Sequence, residues 1–151
     1  MNIPLRTITW FAFSLSVLFL CACQPNAPHQ RGEVEAAMKK YDSFILQTNP
    51  DSIATMYTPQ GKLGIAATGR DSIRAFLQRF SGIKVLTQSS VTDSIRIDND
   101  TAWQTGRYKQ SDLIRVSDTA RITGKYSAKW IWSKQEGWRL AEMTTEPDKD
   151  H

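Results

Sequence analysis

The groups in this chain that could move a proton are carboxylates and phenols, and little else. Its two histidines, His29 and His151, and its two cysteines, Cys21 and Cys23, all lie outside the long patterned stretch of the sequence. That stretch therefore offers no imidazole base, no Ser–His or Cys–His pair, and no His- or thiolate-ligated metal site. It has no Gly-rich phosphate loop, so neither a cofactor nor a metal is expected. Glu142 is the carboxylate out of place. In residues 138–144 the alternation puts Trp138, Leu140 and Glu142 on one face and Arg139, Ala141 and Met143 on the other. Asp93 is the second candidate, sharing a face of residues 85–98 with Val91, Ile95 and Ile97. The phenols are Tyr41, Tyr57, Tyr108 and Tyr126. Each has a bland reading beside the chemical one. An inward Glu142 also reads as the hydrogen-bonded partner of Arg107, Arg139 or a tyrosine, and the phenols as core side chains with satisfied hydroxyls.

Large aromatic surfaces surround these groups. In residues 124–132, Gly124, Tyr126, Ala128, Trp130 and Trp132 fall on one face and Lys125, Ser127, Lys129 and Ile131 on the other, the pattern of a half-buried antiparallel strand. A polar loop ending in Gly137 then turns the chain into the strand that carries Glu142. Trp103, Trp130, Trp132 and Trp138 read either as packing or as a wall on which a ligand stacks. Gln104, Gly106, Gly124, Ala128 and Thr144 leave room for a mostly apolar pocket if they face inward.

The elements that position these residues follow from period and punctuation. Val34, Ala37, Met38, Tyr41, Phe44 and Ile45 give a helical stripe over 33–47, stopped by Asn49-Pro50. Asp51 caps a short helix to 57, and 58–61 is a turn. A strand over 62–68 leads to Asp71 as the cap of a third helix, 72–80. Strands follow at 85–98 and 101–111, the latter with Ala102, Gln104, Gly106 and Tyr108 on one face; 112–118 is strand extension or loop. A further strand begins at Arg121. Helices first and an antiparallel meander after predict one α+β domain. At 151 residues, one domain is also the natural expectation. Lysines and arginines are scattered singly, so nucleic-acid binding is not expected.

Residues 1–23 read as a targeting segment: Arg6 as a basic start, an apolar run over 10–20, then Leu20-Cys21-Ala22-Cys23. Ala22 before Cys23 resembles a bacterial lipobox, with Cys23 as the acylated residue; the other reading is a secretory signal cut near Ala22. Residues 24–32 read as a flexible tether and 147–151 as a disordered tail. Removing the leader takes Arg6 with it and lowers the formal charge from +4 to +3 (4 − 1). The expected location is the bacterial cell envelope, with the membrane reached through the lipid on Cys23.

Four pieces of sequence resemble the nuclear-transport-factor-2-like superfamily, in its SnoaL-like and ketosteroid-isomerase-like branch. They are the paired opening helices ending in the Tyr-containing turn of 51–61; Gly69-Arg70-Asp71-Ser72-Ile73 entering a helix; Asp100-Thr101-Ala102 through Gly106-Arg107-Tyr108; and Gly124-Lys125-Tyr126 through Gly137-Trp138-Arg139-Leu140. The resemblance covers about Gly32 to Thr145, with the domain placed at 33–146. It implies a cone-shaped, curved antiparallel sheet with three helices in the N-terminal half enclosing a pocket, and in many members a homodimer through the outer sheet face. Isomerases of this kind set a carboxylate base beside a Tyr-type donor. No matched Asp and Tyr motif of those isomerases falls on this chain; the candidates are Glu142 and Asp93 for the base and Tyr41, Tyr57, Tyr108 or Tyr126 for the donor, with Tyr57 taken as the catalytic one. Tyr41, Trp103, Gln104, Tyr108, Tyr126, Trp130, Trp132 and Thr144 would then line the ligand pocket. Members with a His–Asp pair are not matched here. The reading is of an envelope-anchored domain binding a small apolar or aromatic molecule without catalysis; the alternatives are an isomerase-like enzyme and a dimeric interaction module with a vestigial pocket.

Overall fold

The computed structural model describes residues 28–114 and 118–149. The leader with Cys23, residues 24–27 of the tether, and residues 150–151 of the tail with His151 lie outside the described residues. Three helices and six strands follow in the order α1 (Arg31–Leu46), α2 (Pro50–Thr55), β1 (Tyr57–Leu63), β2 (Ala67–Thr68), α3 (Arg70–Gln78), β3 (Lys84–Asp98), β4 (Thr101–Leu113), β5 (Thr119–Ser133) and β6 (Gly137–Pro147). They form one sheet in the order β2-β1-β6-β5-β4-β3. The α+β architecture with three early helices stands as the sequence predicts.

Local chemistry moves several boundaries. Thr48 takes a positive φ and ends α1. Asn49, not Asp51, caps α2 by accepting from the Ser52 N–H at 3.1 Å. Pro50 then sits in the first turn, where its missing N–H costs nothing. Residues 58–61 belong to a strand rather than a turn: β1 runs parallel to β6, so the sheet is mixed, not wholly antiparallel. Gly69, at φ 87, enters α3 in place of Asp71. α1 starts at Arg31, which takes the end of the expected tether into the helix. At the other terminus, Asp148 of the expected tail accepts from the Thr123 hydroxyl at 2.7 Å.

β4 and β5 pair without a register shift from Thr101↔Ile131 to Leu113↔Thr119. Their inner faces carry the core: Ala102, Gln104, Tyr126, Ala128 and Trp130 are buried. Both flanking strands shift register, β6 once and β3 twice, the first time between Val85 and Thr87, where Leu86 is left unpaired. In β3 the pairing steps from Thr92↔Gly106 to Ser94↔Thr105 and leaves Asp93 unpaired. In β6 it steps from Lys129↔Glu142 to Trp130↔Leu140 and leaves out Ala141. Side chains alternate along a strand, so each bulge reverses which residues face inward.

α1 lies across β3, burying Val34, Met38 and Tyr41 at spacings of four and three. Asp42 fastens it there, accepting from the Ser90 N–H at 2.9 Å, the Ser90 hydroxyl at 2.8 Å and the Gln88 amide at 2.9 Å. Gly106 sits where β4 is most crowded. A Cβ there would meet the Val91 carbonyl and lie 2.7 Å from the Tyr126 ring.

Gly106→Ala is expected to destabilise the fold by about 3 kcal/mol, because backbone stands in the way. Gly32→Ala, with open space around its Cβ, should instead gain about 0.5 kcal/mol. Urea denaturation of the two variants checks the contrast.

Candidate functional site

A chamber opens beneath α1, on the inner side of the sheet. Its larger part is about 400 Å³, walled by Ile45, Ile53, Leu77, Phe80, Val85 and Ile122. A neighbouring part of about 240 Å³ adds Met38, Tyr108, Tyr126 and Met143. Both parts are lined by Tyr41, Ile45, Gln110, Ile122 and Thr145, so they adjoin. The space lies toward the β3 start and the β4 end; the opposite end of the sheet is filled.

One carboxylate faces this chamber, and it is Asp112. It is 6% exposed. The Gln110 side-chain nitrogen donates to both its oxygens, at 2.8 and 2.9 Å. The unbroken β4–β5 ladder puts residues 102, 104, 106, 108, 110 and 112 on one face, with Asp112 opposite Ala120. The sequence reading followed the inward face only as far as Tyr108 and left 112–118 as strand extension or loop, and so singled out neither Gln110 nor Asp112. Carrying the same alternation two inward positions past Tyr108 finds them.

The two predicted carboxylates lie elsewhere, and the bulges are the reason. Asp93 is held on the outer face at 3.2 Å from Arg107, its side chain 49% exposed. Glu142 is exposed on the outer face opposite Lys129. It lines a shallow groove there with Trp103, Ser127 and Lys129. Neither reaches the chamber. Thr144 also faces out, opposite Ser127, and Thr145 takes the inward place. Trp103 is on the outer face too, with Arg96 3.9 Å from its ring centroid and Lys129 6.0 Å.

The phenols divide. Tyr41, Tyr108 and Tyr126 line the chamber. Tyr57 is fully buried, and its hydroxyl shares a 3.0 Å hydrogen bond with that of Tyr41. Burial pushes the Tyr41 phenol up to about 12 and lifts Tyr57 well above the ordinary range. Burial raises Tyr108 and Tyr126 as well. At neutral pH all four are hydrogen-bond donors rather than bases. Trp130 and Gln104 are core, not wall. The indole N–H donates to the Gln104 oxygen at 2.9 Å, and the Gln104 amide donates to the Thr92 hydroxyl at 2.8 Å.

Trp132 has a different occupant. His29, expected in the free tether, packs between Trp132 and Trp138, with ring centroids 4.6 and 4.9 Å away. Its Nδ1 donates to Glu33 at 2.8 Å, and its Nε2 lies 3.3 Å from Asp100. Trp138 also donates to Glu33, at 3.1 Å. The two hydrogen bonds, His29 foremost, hold Glu33 below the usual carboxylate range. An imidazole therefore belongs to the folded domain, but at the filled end of the sheet. Among the described residues, no three His, Cys, Asp or Glu side chains gather as a metal site.

No protein-family model and no curated protein sequence matches the chain. Solved structures do. The ketosteroid isomerase-like protein from Erwinia carotovora atroseptica superposes with a TM-score of 0.67 at 14% identity, covering 79% of this chain and 96% of that one. A Novosphingobium aromaticivorans protein provisionally named scytalone dehydratase gives 0.65 at 17% identity, covering 78% and 83%. A conserved protein from Planctomyces limnophilus gives 0.67 at 12% identity, covering 77% and 95%. At such identities the likeness is one of fold. The chain has the nuclear-transport-factor-2-like fold, as the resemblance in its sequence implied.

Raised phenols give the alkaline limb a sign. Between about pH 10 and 12 the unfolded chain has lost its tyrosine protons while native Tyr41 keeps its own, so the unfolded state binds fewer protons and stability falls as pH rises. Ultraviolet titration should show the Tyr41–Tyr57 pair ionising together with unfolding, after Tyr108 and Tyr126. Tyr41→Phe strands the Tyr57 hydroxyl and should cost about 1–3 kcal/mol in denaturant unfolding.

Proposed function

We propose that this protein binds a small, largely apolar molecule in the chamber beneath α1, as an envelope-anchored domain that need not transform its ligand. The observation that carries the reading is an apolar space of about 400 Å³ with one buried carboxylate on its wall. Ligand pockets of roughly 300–1,000 Å³ have this make-up: hydrocarbon walls and a few polar groups that fix orientation. Phe80 lines the chamber yet is 45% exposed, which gives a ligand a route in. The Tyr41 hydroxyl is already engaged by Tyr57 and contributes shape as much as chemistry. Anchoring rests on the lipobox-like Leu20-Cys21-Ala22-Cys23.

A second reading is favoured by one observation. Asp112 and Tyr41 line the same chamber, so a carboxylate base and a phenol donor share one apolar space. Structural neighbours named for isomerase and dehydratase activities are consistent with proton-transfer chemistry. In this reading Asp112 holds the part that the sequence offered to Glu142 or Asp93.

Titration calorimetry of 2-naphthylmethanol against the full chain in zwitterionic nanodiscs, with empty discs as the blank, tests the binding reading. One saturable site is expected. Ile122→Trp, which fills the space between the two parts of the chamber, should abolish it with the far-ultraviolet circular dichroism unchanged. Glu142→Gln, altered on the outer face, should bind as the parent does. Absence of a site, or a site untouched by Ile122→Trp, would overturn the reading.

A further inference from the structure

We infer that the chamber selects an organic cation, an amine whose ammonium pairs with Asp112 while its hydrocarbon part fills the apolar space. The inference rests on the small-molecule-binding reading and names the ligand class of that same site.

Asp112 is more than nine-tenths buried, yet nothing among the described residues answers its charge. Its one side-chain donor among the described residues is the neutral amide of Gln110. No Lys, Arg or His nitrogen among the described residues comes within ion-pair distance of it, although other carboxylates of the chain, Asp51, Asp71, Asp93 and Glu136 among them, are paired with arginines. Most groups facing the same chamber are hydrocarbon, Ile45, Ile53, Leu77, Phe80, Val85 and Ile122 among them, and its other polar side chains, Tyr41, Thr48, Gln110 and Thr145, bring no positive charge. A carboxylate taken out of water without a counter-charge is among the costliest arrangements a protein can hold.

Both Asp112 oxygens accept from the Gln110 nitrogen. Each oxygen keeps further lone pairs for a donor arriving from the chamber. An ammonium brings up to three N–H groups and the missing positive charge together. A ligand alcohol brings one neutral donor. A ligand carboxylate brings a second negative charge into an apolar space and is refused. The expected order is therefore amine, then alcohol, then acid, on one hydrocarbon frame.

Three probes on that frame decide it: 2-naphthylmethylamine, 2-naphthylmethanol and 2-naphthoate, titrated at neutral pH against the full chain in zwitterionic nanodiscs with empty discs as the blank. Charge-assisted hydrogen bonding predicts that the amine binds at least about tenfold more tightly than the alcohol, with the acid weakest. Asp112→Asn keeps the shape and removes the charge. It should bring the amine to within about twofold of the alcohol. An amine no tighter than the alcohol in the parent chain overturns the inference, and that comparison needs no variant. An amine advantage that survives intact in Asp112→Asn overturns it as well. Alcohol binding with no preference for the amine leaves the chamber reading standing and sinks the cation; failure of all three probes sinks both.

Discussion

The structure depends on the unshifted pairing of β4 with β5. Those two strands run side by side over their full paired length, and every inward position of one faces an inward position of the other. Their neighbours are then fitted to them. β3 gives up Leu86 and Asp93 and β6 gives up Ala141 to register shifts, and these bend the sheet while keeping a buried row continuous across it. A slip of one residue in either neighbour would move its whole apolar set to solvent, so the register is held by the burial of Ile95, Ile97, Leu140 and Met143 on the correct sides.

Polar groups inside this frame are paired with care. Trp130, Gln104 and Thr92 form a relay in which each donor meets an acceptor, and Thr92 reaches on to the Tyr126 hydroxyl at 3.4 Å. Tyr41 and Tyr57 satisfy one another across α1 and β1. Arg70 ties the start of α3 to the Tyr57 carbonyl and, through both oxygens of Glu136, to the β5–β6 turn. These bonds fix the walls. Against that background Asp112 stands out, because its one side-chain partner among the described residues is an amide on its own strand.

The two ends of the sheet have opposite characters. At the end of the β3–β4 and β5–β6 turns, His29, Trp132, Trp138, Glu33 and Asp100 close the structure with stacked rings and charge. At the other end, the C-terminal parts of α1 and α3 stand apart from the sheet, and the chamber lies between them. The chain enters the domain at the filled end. An anchor on Cys23, only a few residues before His29, would leave the chamber at the end of the domain remote from the point of attachment.

How much of this was legible follows from period and its limits. Alternation placed the inner face of β5 correctly from Gly124 to Trp132, and the inner face of β4 from Ala102 to Tyr108, because no bulge interrupts them. Helical spacing found α1 and its buried stripe, and the order of motifs found the fold. The same alternation placed Asp93, Glu142 and Thr144 on the wrong side. A period of two carries no memory of a skipped residue, and nothing local marks Asp93 or Ala141 as the one left out. The partner strand makes that choice. His29 looked free because its box is assembled from α1, the β3–β4 turn and both closing strands, distant in sequence. The sequence by itself therefore determined which elements form and in what order. Only the tertiary structure decided which side chains face the chamber, since register is a property of paired strands and one residue of shift reverses it.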